Sequence, residues 1–553
     1  MKVVIIGGVA GGASAAARLR RMDENAEIVL IEKSAYISYA NCGLPYYIGG
    51  VIHDRQKLFV QTPSSFRQRF QIDARVSSEV IRIDRDRKSV LIKNLNSEET
   101  YEEHYDKLIL SPGAEPIRPS LPGLQLPGVF TLRNVADTDA IKKFTEGKSN
   151  AKAVVIGAGF IGLEMAENLH HLGMHVSVVE MASQILAPVD FAIAAIAQQH
   201  LRHKGLDLYL NTSMTGIRQE DSHLFVDLKD KDSLVADIVI LSIGVRADTQ
   251  LAQSSELELG PTKAIKVNEY LQTSDPDIYA LGDAIEFDHP ILHKSMPTYL
   301  AGPANKQGRI VADNIIFGNQ SKYKGAIGTA IVKLFDLTIA TTGVASKHLK
   351  VAQVPHIVST THSASHATYY PGSHLMSIQL AVSQLDGRLL GAQAIGVQGV
   401  DKRIDVLATA IQRGASIEEL TEFEHAYAPP YSSAKDPVNM AAFVAQNRLA
   451  GKSKAITWDE LKLRPNESQL VDVRTRAEFE KGHIPQALHI PIDELRDRIS
   501  ELDPNKPVIV YCQVGLRGYL SERILRQRGF TDVINLAGGY YSWSFCDKEL
   551  QIT

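Results

Sequence analysis

Two cysteines of this 553-residue chain lie in segments that could support thiol chemistry. The first, Cys42, lies in the stretch SYANCGLPY, and no second cysteine is near enough in sequence to form a redox pair with it. A lone thiolate of this kind can cycle through a mixed disulfide, a persulfide or a sulfenic acid. Because Pro45 is tolerated in the first turn of a helix, we expect Cys42 to precede a helix N-terminus, which lowers the pKa of a thiol. The alternative is a buried cysteine with a structural role.

The second candidate, Cys512, follows the apolar run KPVIVY and precedes the helix-forming run GYLSERILRQRG. Four residues separate it from Arg517. Consecutive backbone amides in such a loop, with a helix N-terminus behind them, form a site for anions. We therefore predict that Cys512 is a reactive thiolate at the centre of this loop and that Arg517 belongs to the same catalytic site. The third cysteine, Cys546, is predicted to be inert.

A glycine motif in the middle of the chain is typical of dinucleotide binding. Gly157, Gly159 and Gly162 form a GxGxxG pattern between an apolar run and a helix-forming run. Such glycines permit a tight turn and a close approach of backbone amides to a pyrophosphate. Glu180 follows Gly162 by 18 residues and could accept hydrogen bonds from ribose hydroxyls. This carboxylate would repel a 2′-phosphate and is followed by Met181 rather than an arginine, so the electrostatics favour NADH over NADPH.

The N-terminal segment carries a less regular form of the same motif. Gly7, Val9 and Gly12 occupy the three glycine positions, and Glu32 follows Gly12 by 20 residues. Alone, this pattern is ambiguous because valine replaces the middle glycine. It is supported by the run TSDPDIYALGDA, a predicted strand whose end places Asp283 where it could bind a second hydroxyl-rich group.

The order of predicted strands and helices indicates an α/β protein. βαβ patterns open at KVVII, near the N-terminus, and at AKAVVIGAGF, from residue 151. From about residue 323 the runs alternate between polar and apolar residues, as antiparallel strands do, and two helical segments follow. Residues 450–458 are the best candidate for a linker, and a small α/β unit follows them.

The composition excludes several classes of protein. With 59 basic and 63 acidic residues the net charge is -4, which does not favour binding to nucleic acid. No run of about 18 apolar residues predicts a membrane span, and the glycine-broken start does not fit a secretory signal. Three cysteines do not form a disulfide framework, so we expect a reducing cytoplasm. No spacing of side chains indicates a metal site.

Together, the dinucleotide motifs resemble those of the flavoprotein disulfide reductases that bind two dinucleotides. The resemblance implies FAD on the N-terminal unit, with Gly282 and Asp283 near its ribityl and pyrophosphate groups, and a nicotinamide nucleotide on the middle unit. Arg133, in TLRNVADTDAI, matches another cofactor-binding position. The implied domains are an FAD-binding domain at 1–112 and 245–322, an NAD(P)H-binding domain at 113–244 and an α+β dimerisation domain at 323–448. The two nucleotide domains are expected to be Rossmann-like.

The segment around Cys42 resembles that of coenzyme A disulfide reductases, NADH-dependent persulfide reductases and single-cysteine NADH oxidases and peroxidases. This resemblance covers residues 1 to about 445 and includes HATYYPG and YAPPYSSAKDPVN. It implies a homodimer in which Tyr369 and Tyr427 of one subunit approach Cys42 of the other. A phenol there could donate a proton to a leaving thiolate. The alternative role for either tyrosine is strand packing.

The same resemblance implies a site for coenzyme A, as cofactor or substrate. Its contacts fall on the first helix, beside Cys42 and in two later segments: Ser14, Arg18, Arg21, Ser38, Asn41, Asn305 and Lys435. Two departures weaken this expectation, because Phe70 replaces a lysine of the family and Asn305 replaces a histidine. Arg18 and Arg21 share a helix face, where they could hold phosphates or could simply be solvated.

The C-terminal segments LVDVRTRAEFEKGHIPQALHIP and NLAGGYYSW resemble those of rhodanese domains, over residues 456–553. Rhodaneses move sulfane sulfur through a cysteine persulfide, which assigns that role to Cys512. The cysteine phosphatases have one more residue between cysteine and arginine. Asp472, Arg474 and Glu478 are expected to brace the loop. The alternative is an inactive domain of the same fold.

These expectations combine into one leading function. We expect an NADH- and FAD-dependent reductase of persulfides, polysulfides or coenzyme A persulfide or disulfide, acting through Cys42 and coupled to sulfur transfer at Cys512. Reduction of coenzyme A disulfide alone, an NADH oxidase or peroxidase with a Cys42 sulfenic acid, and a flavin-containing redox sensor remain alternatives. The sequence leaves open which sulfur substrate is preferred and whether the two cysteines exchange sulfur directly.

Overall fold

The computed structural model describes residues 1–463 and 468–552. Its backbone contacts define two compact units, one of residues 1–181 and 212–328 and the other of residues 182–211 and 329 onward. Each unit combines helices with strands. The mixed α/β class expected from the sequence is therefore confirmed.

The segment from residue 1 to residue 181 begins with a βαβ unit. Its helices are α1 (Ala10–Met22), α2 (Leu44–Ile48), α3 (Pro63–Phe70), α4 (Val135–Thr145) and α5 (Phe160–His171). Its strands are β1 (Lys2–Ile6), β2 (Glu27–Ile31), β3 (Asp73–Arg75), β4 (Ser78–Asp84), β5 (Ser89–Asn94), β6 (Thr100–His104), β7 (Lys107–Leu110), β8 (Ala114–Pro116), β9 (Val129–Phe130), β10 (Lys152–Ile156) and β11 (His175–Val179).

The next segment, residues 182–211, belongs to the second unit and contains α6 (Phe191–His203) and β12 (Asp207–Tyr209). The chain then completes the first unit with helices α7 (Gln250–Ser254) and α8 (Ala301–Phe317). The strands of this part are β13 (Met214–Glu220), β14 (His223–Leu228), β15 (Lys231–Ala236), β16 (Ile238–Leu241), β17 (Val245–Ala247), β18 (Ile265–Lys266), β19 (Ile278–Ala280), β20 (Ile285–Asp288) and β21 (Ser295–Pro297).

Two parallel sheets organise the first unit. One has the strand order β19-β7-β1-β2-β3, and in the other β10 pairs with β11 on one side and with β16 on the other. Val3, Val4 and Ile5 of β1 are fully buried, as expected for a parallel strand covered on both faces. β1 leads into α1 and β10 into α5, so both glycine motifs lie at the carboxyl ends of central strands. Ligands of open α/β sheets bind at that edge.

The second unit contains a five-stranded antiparallel sheet with the order β22-β23-β26-β25-β24. These strands are β22 (Ala330–Leu334), β23 (Leu337–Gly343), β24 (His356–Ala364), β25 (Leu375–Ser383) and β26 (Leu389–Gly396). Its helices are α9 (Ser346–Val351), α10 (Val400–Arg413), α11 (Ile417–Thr421) and α12 (Pro437–Leu449). The alternating runs after residue 323 therefore form antiparallel strands, as predicted.

A parallel sheet with the order β27-β31-β30-β28-β29 forms the C-terminal part of the second unit. The strands are β27 (Ala455–Ile456), β28 (Gln469–Asp472), β29 (Leu488–His489), β30 (Val508–Tyr511) and β31 (Val533–Leu536). The helices are α13 (Trp458–Lys462), α14 (Arg476–Glu480), α15 (Leu516–Gln527) and α16 (Gly539–Ile552). Cys512 directly follows β30, the central strand.

The expected linker at residues 450–458 is not a free connection. Ser453 is buried, and the carboxylate of Glu522 accepts hydrogen bonds from the Ser453 hydroxyl and, at 2.8 Å, from the Lys454 amide. β27 then joins the C-terminal sheet by pairing with β31. The stretch therefore remains a candidate linker, but a distant carboxylate satisfies its polar groups, which its composition did not reveal.

A buried ion pair ties together the loops of the antiparallel part. Arg403 is 1% exposed and lies 2.9 Å from Asp436. Its guanidinium also donates to the carbonyl of Ser365 at 2.9 Å and to the hydroxyl of Ser432 at 3.3 Å. Burial disfavours ionisation of Asp436, but hydrogen bonds from Arg403 and Ser432 hold the pKa of this carboxyl below its usual range. The pair therefore fixes two loops that are far apart in sequence.

Replacement of Arg403 by methionine should destabilise the second unit. The substitution leaves the Asp436 carboxylate buried without its cation, which typically costs about 3–5 kcal/mol. Urea denaturation followed by circular dichroism would measure the change. Arg388→Met is the matched control, because it removes an exposed arginine paired with Asp386. Equal unfolding midpoints for the two variants would contradict the proposed importance of the buried pair.

Candidate active site

The first glycine turn is closed by contacts that exclude a side chain. Gly7 has φ +97°, and a Cβ there would lie 2.0 Å from the Ser111 carbonyl oxygen. A Cβ on Gly12 would lie 1.9 Å from the Gly7 carbonyl oxygen. Val9 directly precedes α1. Glu32, the residue after β2, accepts hydrogen bonds from the amides of Gly8 and Ser34, both at 2.8 Å.

The second glycine turn has the same construction. A Cβ on Gly157, where φ is +102°, would lie 2.2 Å from the Ser242 carbonyl oxygen, and a Cβ on Gly162 would lie 2.0 Å from that of Gly157. A Cβ on Gly159 would meet no described atom within 4 Å, so the middle of the turn opens onto free space. Glu180 accepts from the amide of Ala158 at 2.8 Å. This open cradle at the start of α5 fits a pyrophosphate.

Asp283 and Arg133 lie near the first glycine turn. Asp283 is in a short turn after β19, where burial raises its pKa to about 6 although the Arg133 guanidinium acts in the opposite direction. The Arg133 Nε is buried and has no hydrogen-bond partner among the described residues. The same side chain lines a cavity of about 380 Å³ together with Arg118 and Arg246. The Glu115 carboxylate lies 3.8 Å from the Arg133 Nε, and Glu115 and Asp137 also line the cavity. Three arginines beside the cavity still fit an anionic cofactor.

Cys42 lies in a single helical turn, Asn41–Gly43, directly before α2. Its side chain is exposed. The expected lowering of its pKa is wrong for this structure, because partial desolvation raises the thiol pKa and the carboxylates of Glu164 and Asp283 raise it further. The five-residue helix α2 does not outweigh these effects. Formation of the thiolate therefore requires charge compensation or proton removal within the site.

Sequence reasoning missed two residues beside Cys42. Tyr46, four residues further along, donates a hydrogen bond at 3.1 Å to Glu164 of α5. Burial raises the pKa of Glu164, and the nearby Glu167 raises it further. Tyr46 could have been identified from the motif around Cys42, because residues four positions apart lie on the same face of a helix. Glu164 gave no local signal because 118 positions separate it from Tyr46.

The candidate coenzyme A residues on α1 are partly engaged by α8. The Ser14 hydroxyl donates to the side-chain oxygen of Asn305. Arg18 makes a two-pronged pair with Asp313, through distances of 2.7 and 3.1 Å. Arg21 is exposed. The predicted shared face exists, but the Arg18 guanidinium is already paired with a carboxylate, which the spacing on α1 did not reveal.

Ser38 and Asn41 flank the cysteine turn. Ser38 has φ +46°, its amide donates to the Gly8 carbonyl at 2.8 Å, and its carbonyl accepts from the Val60 amide at 2.9 Å. Asn41 is exposed next to Cys42. The backbone of Ser38 therefore attaches the cysteine segment to the first glycine turn.

In the second unit, the structure brings together the two predicted tyrosines. The hydroxyls of Tyr369 and Tyr427 lie 3.0 Å apart, although the residues are 58 positions apart in sequence. Their side chains are 74% and 49% exposed. The hydrogen bond with Tyr427 raises the pKa of Tyr369. This exposure argues against the alternative that both residues simply pack between strands.

The segment after Tyr427 also carries Lys435. Lys435 is exposed, and it directly precedes the buried Asp436 that Arg403 holds. Arg403 also donates to the carbonyl of Ser365, four residues before Tyr369. The buried ion pair therefore braces the segments of both tyrosines and of the lysine.

The Cys512 loop has the geometry of an anion site. The Gly515 amide donates to the Cys512 sulfur at 3.1 Å, and α15 begins at Leu516. Gly515 has φ +113°, which allows the loop to turn its amide toward the sulfur. Cys512 itself is only 1% exposed. A thiolate or persulfide at this position is stabilised by backbone N–H groups.

Charged pairs brace this loop, as predicted. Arg517 makes two hydrogen bonds of 2.7 Å with Glu478, and this pairing lowers the pKa of Glu478 to about 2. Arg474 and Asp472 form a buried pair with a shortest distance of 2.7 Å. The Arg517 guanidinium is therefore oriented by Glu478.

The third cysteine has the environment of a core residue. Cys546 is fully buried on α16, and burial raises its pKa. A protonated, inaccessible thiol is unreactive. The geometry therefore agrees with the inert role predicted for Cys546.

The described part of the chain contains neither a metal-binding cluster nor a membrane-spanning helix. Residues 1–463 and 468–552 contain no group of three or more His, Cys, Asp or Glu side chains arranged to hold a metal ion. Within the same ranges, no helix has the length and apolar character to cross a membrane.

The environment of Cys42 yields a testable pH dependence. Because the Glu164 carboxylate raises the Cys42 pKa, Glu164→Gln should lower that pKa and speed alkylation at neutral pH. Iodoacetamide labelling across a pH series, on a Cys512→Ser background, would measure this change. Glu146→Gln, which alters an exposed carboxylate after α4, should leave the profile unchanged. A Glu164→Gln profile identical to the parent would contradict this electrostatic role.

Comparison with known families gives three matches that together span most of the chain. Residues 1–307 match the family described as pyridine nucleotide-disulphide oxidoreductase, and residues 329–437 match the dimerisation domain of that family. Residues 457–546 match the rhodanese-like domain.

Individual relatives agree with these matches. The chain is 38% identical over 447 residues to the coenzyme A disulfide reductase of Staphylococcus aureus strain JH9, covering 80% of this chain and all of that protein. It is similar to the crystal structure of reduced CoADR-RHD from Bacillus anthracis, with 46% identity, a TM-score of 0.97 and coverage of 99% and 98% of the two chains. The NAD-dependent persulfide reductase from A. fulgidus has 38% identity, a TM-score of 0.92 and coverage of 98% and 100%.

Proposed function

We infer a function from the premise that the chain belongs to the pyridine nucleotide-disulphide oxidoreductase family and carries a rhodanese-like domain. It is an oxidoreductase of that family, and membership implies FAD and NAD(P)H as cofactors. We propose that it uses NADH to reduce persulfides, polysulfides, or coenzyme A persulfide or disulfide. One observation carries the proposal: Cys42 is exposed and is the only cysteine of residues 1–511, so it has no neighbouring cysteine in sequence and is accessible to the sulfur of a bound substrate.

The two glycine turns would hold the two cofactors. We propose that Gly7, Val9 and Gly12 bind the FAD pyrophosphate, with Glu32 toward a ribose and Asp283, after Gly282, and Arg133 near the rest of the cofactor. Gly157, Gly159 and Gly162 would bind the nicotinamide nucleotide, with Glu180 toward its ribose. Bound FAD supplies a path for the two electrons from reduced nicotinamide to the Cys42 sulfur. The proposed domain boundaries remain 1–112 with 245–322, 113–244, 323–448 and 456–553.

The chain's own groups would then handle sulfur and protons. The Cys42 thiolate attacks one sulfur of the substrate, the S–S bond breaks, and the other sulfur leaves as a thiolate or sulfide. Two electrons then break the new S–S bond, which returns Cys42 to the thiolate state, and one proton releases the bound sulfur as a second thiol or as hydrosulfide. The Glu164 carboxylate, which accepts a hydrogen bond from Tyr46 and raises the Cys42 pKa, is the group that we propose exchanges protons beside Cys42.

The exposed tyrosine pair supports a homodimer as the active form. We propose that Tyr369 and Tyr427 of one subunit approach Cys42 of the other and donate a proton to the leaving sulfur. Their hydroxyls are already hydrogen-bonded to each other, and their rings remain exposed within the chain. A partner surface would cover them. The proposed thiol chemistry suits a reducing cytoplasm, which we propose as the compartment.

Coenzyme A, as substrate or cofactor, would bind along the exposed side of α1. Ser14, Ser38, Asn41 and Asn305 provide polar groups on the route to Cys42. Because Arg18 is paired with Asp313, the phosphate contact on this helix would fall mainly to the exposed Arg21. Lys435 would contribute a cation from the partner subunit.

The rhodanese-like domain would carry sulfane sulfur on Cys512, with Arg517 in the same site, and pass it to a small thiol.

Anaerobic NADH consumption tests the proposed reaction. Coenzyme A disulfide, coenzyme A persulfide and polysulfide would each be supplied to the wild type and to the Cys42→Ser, Cys512→Ser and Cys546→Ala variants. Because Cys42 forms the new S–S bond, Cys42→Ser should lower turnover at least about 1000-fold. Cys546→Ala, the matched control in the core, should keep turnover within about twofold.

The outcomes distinguish the alternatives. Sulfide release from persulfide or polysulfide supports persulfide reduction, whereas turnover with the disulfide alone restricts the enzyme to disulfide reduction. Full activity of Cys42→Ser would contradict the proposal. Rapid NADH consumption with oxygen alone would favour an oxidase instead.

Nucleotide preference forms a separate prediction. The Glu180 carboxylate should repel the 2′-phosphate of NADPH, so the wild type should have the higher kcat/KM with NADH. Glu180→Gln combined with Met181→Arg should move the kcat/KM ratio toward NADPH by about 10- to 100-fold. Glu180→Asp, which keeps the charge, should retain the NADH preference. A wild type that prefers NADPH would overturn this assignment.

A further inference from the structure

A buried histidine connects the antiparallel sheet to the rhodanese-like part of the second unit. His362 lies on β24, and its two ring nitrogens are hydrogen-bonded with Ser377 at 2.7 Å and Ser542 at 2.8 Å. Its ring packs against Tyr541, with 4.7 Å between ring centroids. Burial lowers the pKa of His362 to about 4, so the imidazole is neutral and can donate from one nitrogen and accept at the other.

The residues that His362 contacts also hold the Cys512 loop. The Tyr540 amide donates to the Cys512 carbonyl at 2.8 Å, and the Tyr541 amide donates to the Gln513 carbonyl at 2.9 Å. A Cβ on Gly539 would lie 2.3 Å from the Cys512 carbonyl oxygen, so this approach is close-packed. The start of α16 is therefore in contact with the imidazole through its side chains and with the loop through its amides.

Peptide geometry explains why these carbonyl contacts matter for the sulfur. In a trans peptide the carbonyl and the following N–H point in opposite directions. Because the carbonyls of Cys512 and Gln513 point toward α16, the N–H groups of the same two peptides, those of Gln513 and Val514, point away from that helix. The Gly515 amide, further along the same loop, donates to the Cys512 sulfur at 3.1 Å. A loop that loses these carbonyl contacts no longer holds the backbone between Cys512 and Gly515 in the conformation that brings the Gly515 amide to the sulfur.

Attachment of the rhodanese-like part does not depend on His362 alone. Gln198 of α6 donates to Glu549 at 2.7 Å, and Gln199 donates to the Phe545 carbonyl at 2.9 Å. The rings of Phe191 and Trp458 also pack, with 5.3 Å between centroids. Removal of the imidazole should therefore disturb the loop without detaching the domain.

We propose that His362 is a positioning residue for sulfur transfer at Cys512, acting from the antiparallel sheet through Ser542 and Tyr541 on the amides of the loop. This inference rests on the proposed sulfurtransferase role of Cys512. If so, a residue of the antiparallel sheet contributes to sulfur transfer in the rhodanese-like domain. This role is separate from the reduction proposed at Cys42.

Thiosulfate and cyanide provide an assay that does not involve NADH. The Cys512 thiolate attacks the outer sulfur of thiosulfate to form a persulfide anion and sulfite, and cyanide then removes that sulfur as thiocyanate and regenerates the thiolate. The variants are His362→Phe, which fills the space without hydrogen bonds, His362→Gln, which keeps a donor and an acceptor, and Ser542→Ala. The matched control is His356→Phe, on the same strand, because the hydrogen bonds of His356 go to Ser346 and Val354 in its own segment.

Loss of positioning should appear in kcat for thiocyanate formation. We expect His362→Phe and Ser542→Ala to lower it at least about tenfold, His362→Gln to retain it within about threefold, and His356→Phe to keep it within about twofold. NADH-dependent reduction of coenzyme A disulfide by the same preparations should be unchanged, which also shows that they are folded.

The inference would be overturned if His362→Phe and Ser542→Ala both retained wild-type kcat, or if His356→Phe lost as much. If His362→Phe does not fold, Ser542→Ala alone decides the question. A wild type that forms no thiocyanate would contradict the proposed role of Cys512, and this inference with it. Those two failures are distinguished by the activity of the wild type.

Discussion

Cys42 has no second cysteine within the first 511 residues, and this constraint governs how the first unit must work. A cysteine pair could store two electrons as an internal disulfide, whereas a lone thiolate is oxidised to a mixed disulfide, a persulfide or a sulfenic acid by a bound molecule. The surrounding structure exposes Cys42 in the turn before α2, where a bound molecule could reach it. The raised thiol pKa adds a second requirement, because proton removal must accompany reaction at the sulfur.

Two buried polar side chains play comparable parts in the second unit. Arg403 satisfies carbonyls and a carboxylate from several segments, and it thereby holds the loops that carry Tyr369 and Tyr427. His362 connects strand β24 to the helix that contacts the Cys512 loop. A buried polar group costs stability unless its partners are in place, so each of these side chains selects one arrangement of its loops.

Much of this architecture could be predicted from local sequence. The glycine turns, the strands that lead into them and the antiparallel region depend on short-range patterns, and the observed turns at Gly7 and Gly157 follow those patterns. Tyr369 and Tyr427 were identified because both positions matched a family pattern, but the hydrogen bond between their hydroxyls was not predicted. Where a motif predicted the local backbone, the structure agrees with that prediction. The differences between prediction and structure lie mainly in the charged side chains around the motif.

The features that could not be predicted depend on contacts between distant segments. Asp313, 295 positions from Arg18, pairs with an arginine that the helix pattern presented as available. Glu164 and Asp283 raise the Cys42 pKa from remote parts of the chain, opposing the local effect of α2. Glu522 fixes a stretch whose composition indicated a linker. Periodicity and propensity carry no information about such partners.

The most direct test of the account is to trap sulfur on Cys42 itself. Oxidised enzyme would be incubated anaerobically with coenzyme A disulfide or polysulfide in the absence of NADH, then digested and analysed by mass spectrometry before and after NADH is added. The account predicts a mixed disulfide or persulfide on the peptide that contains Cys42, and its disappearance when NADH is supplied. An unmodified Cys42 during substrate turnover, or an adduct that NADH does not remove, would contradict the central claim.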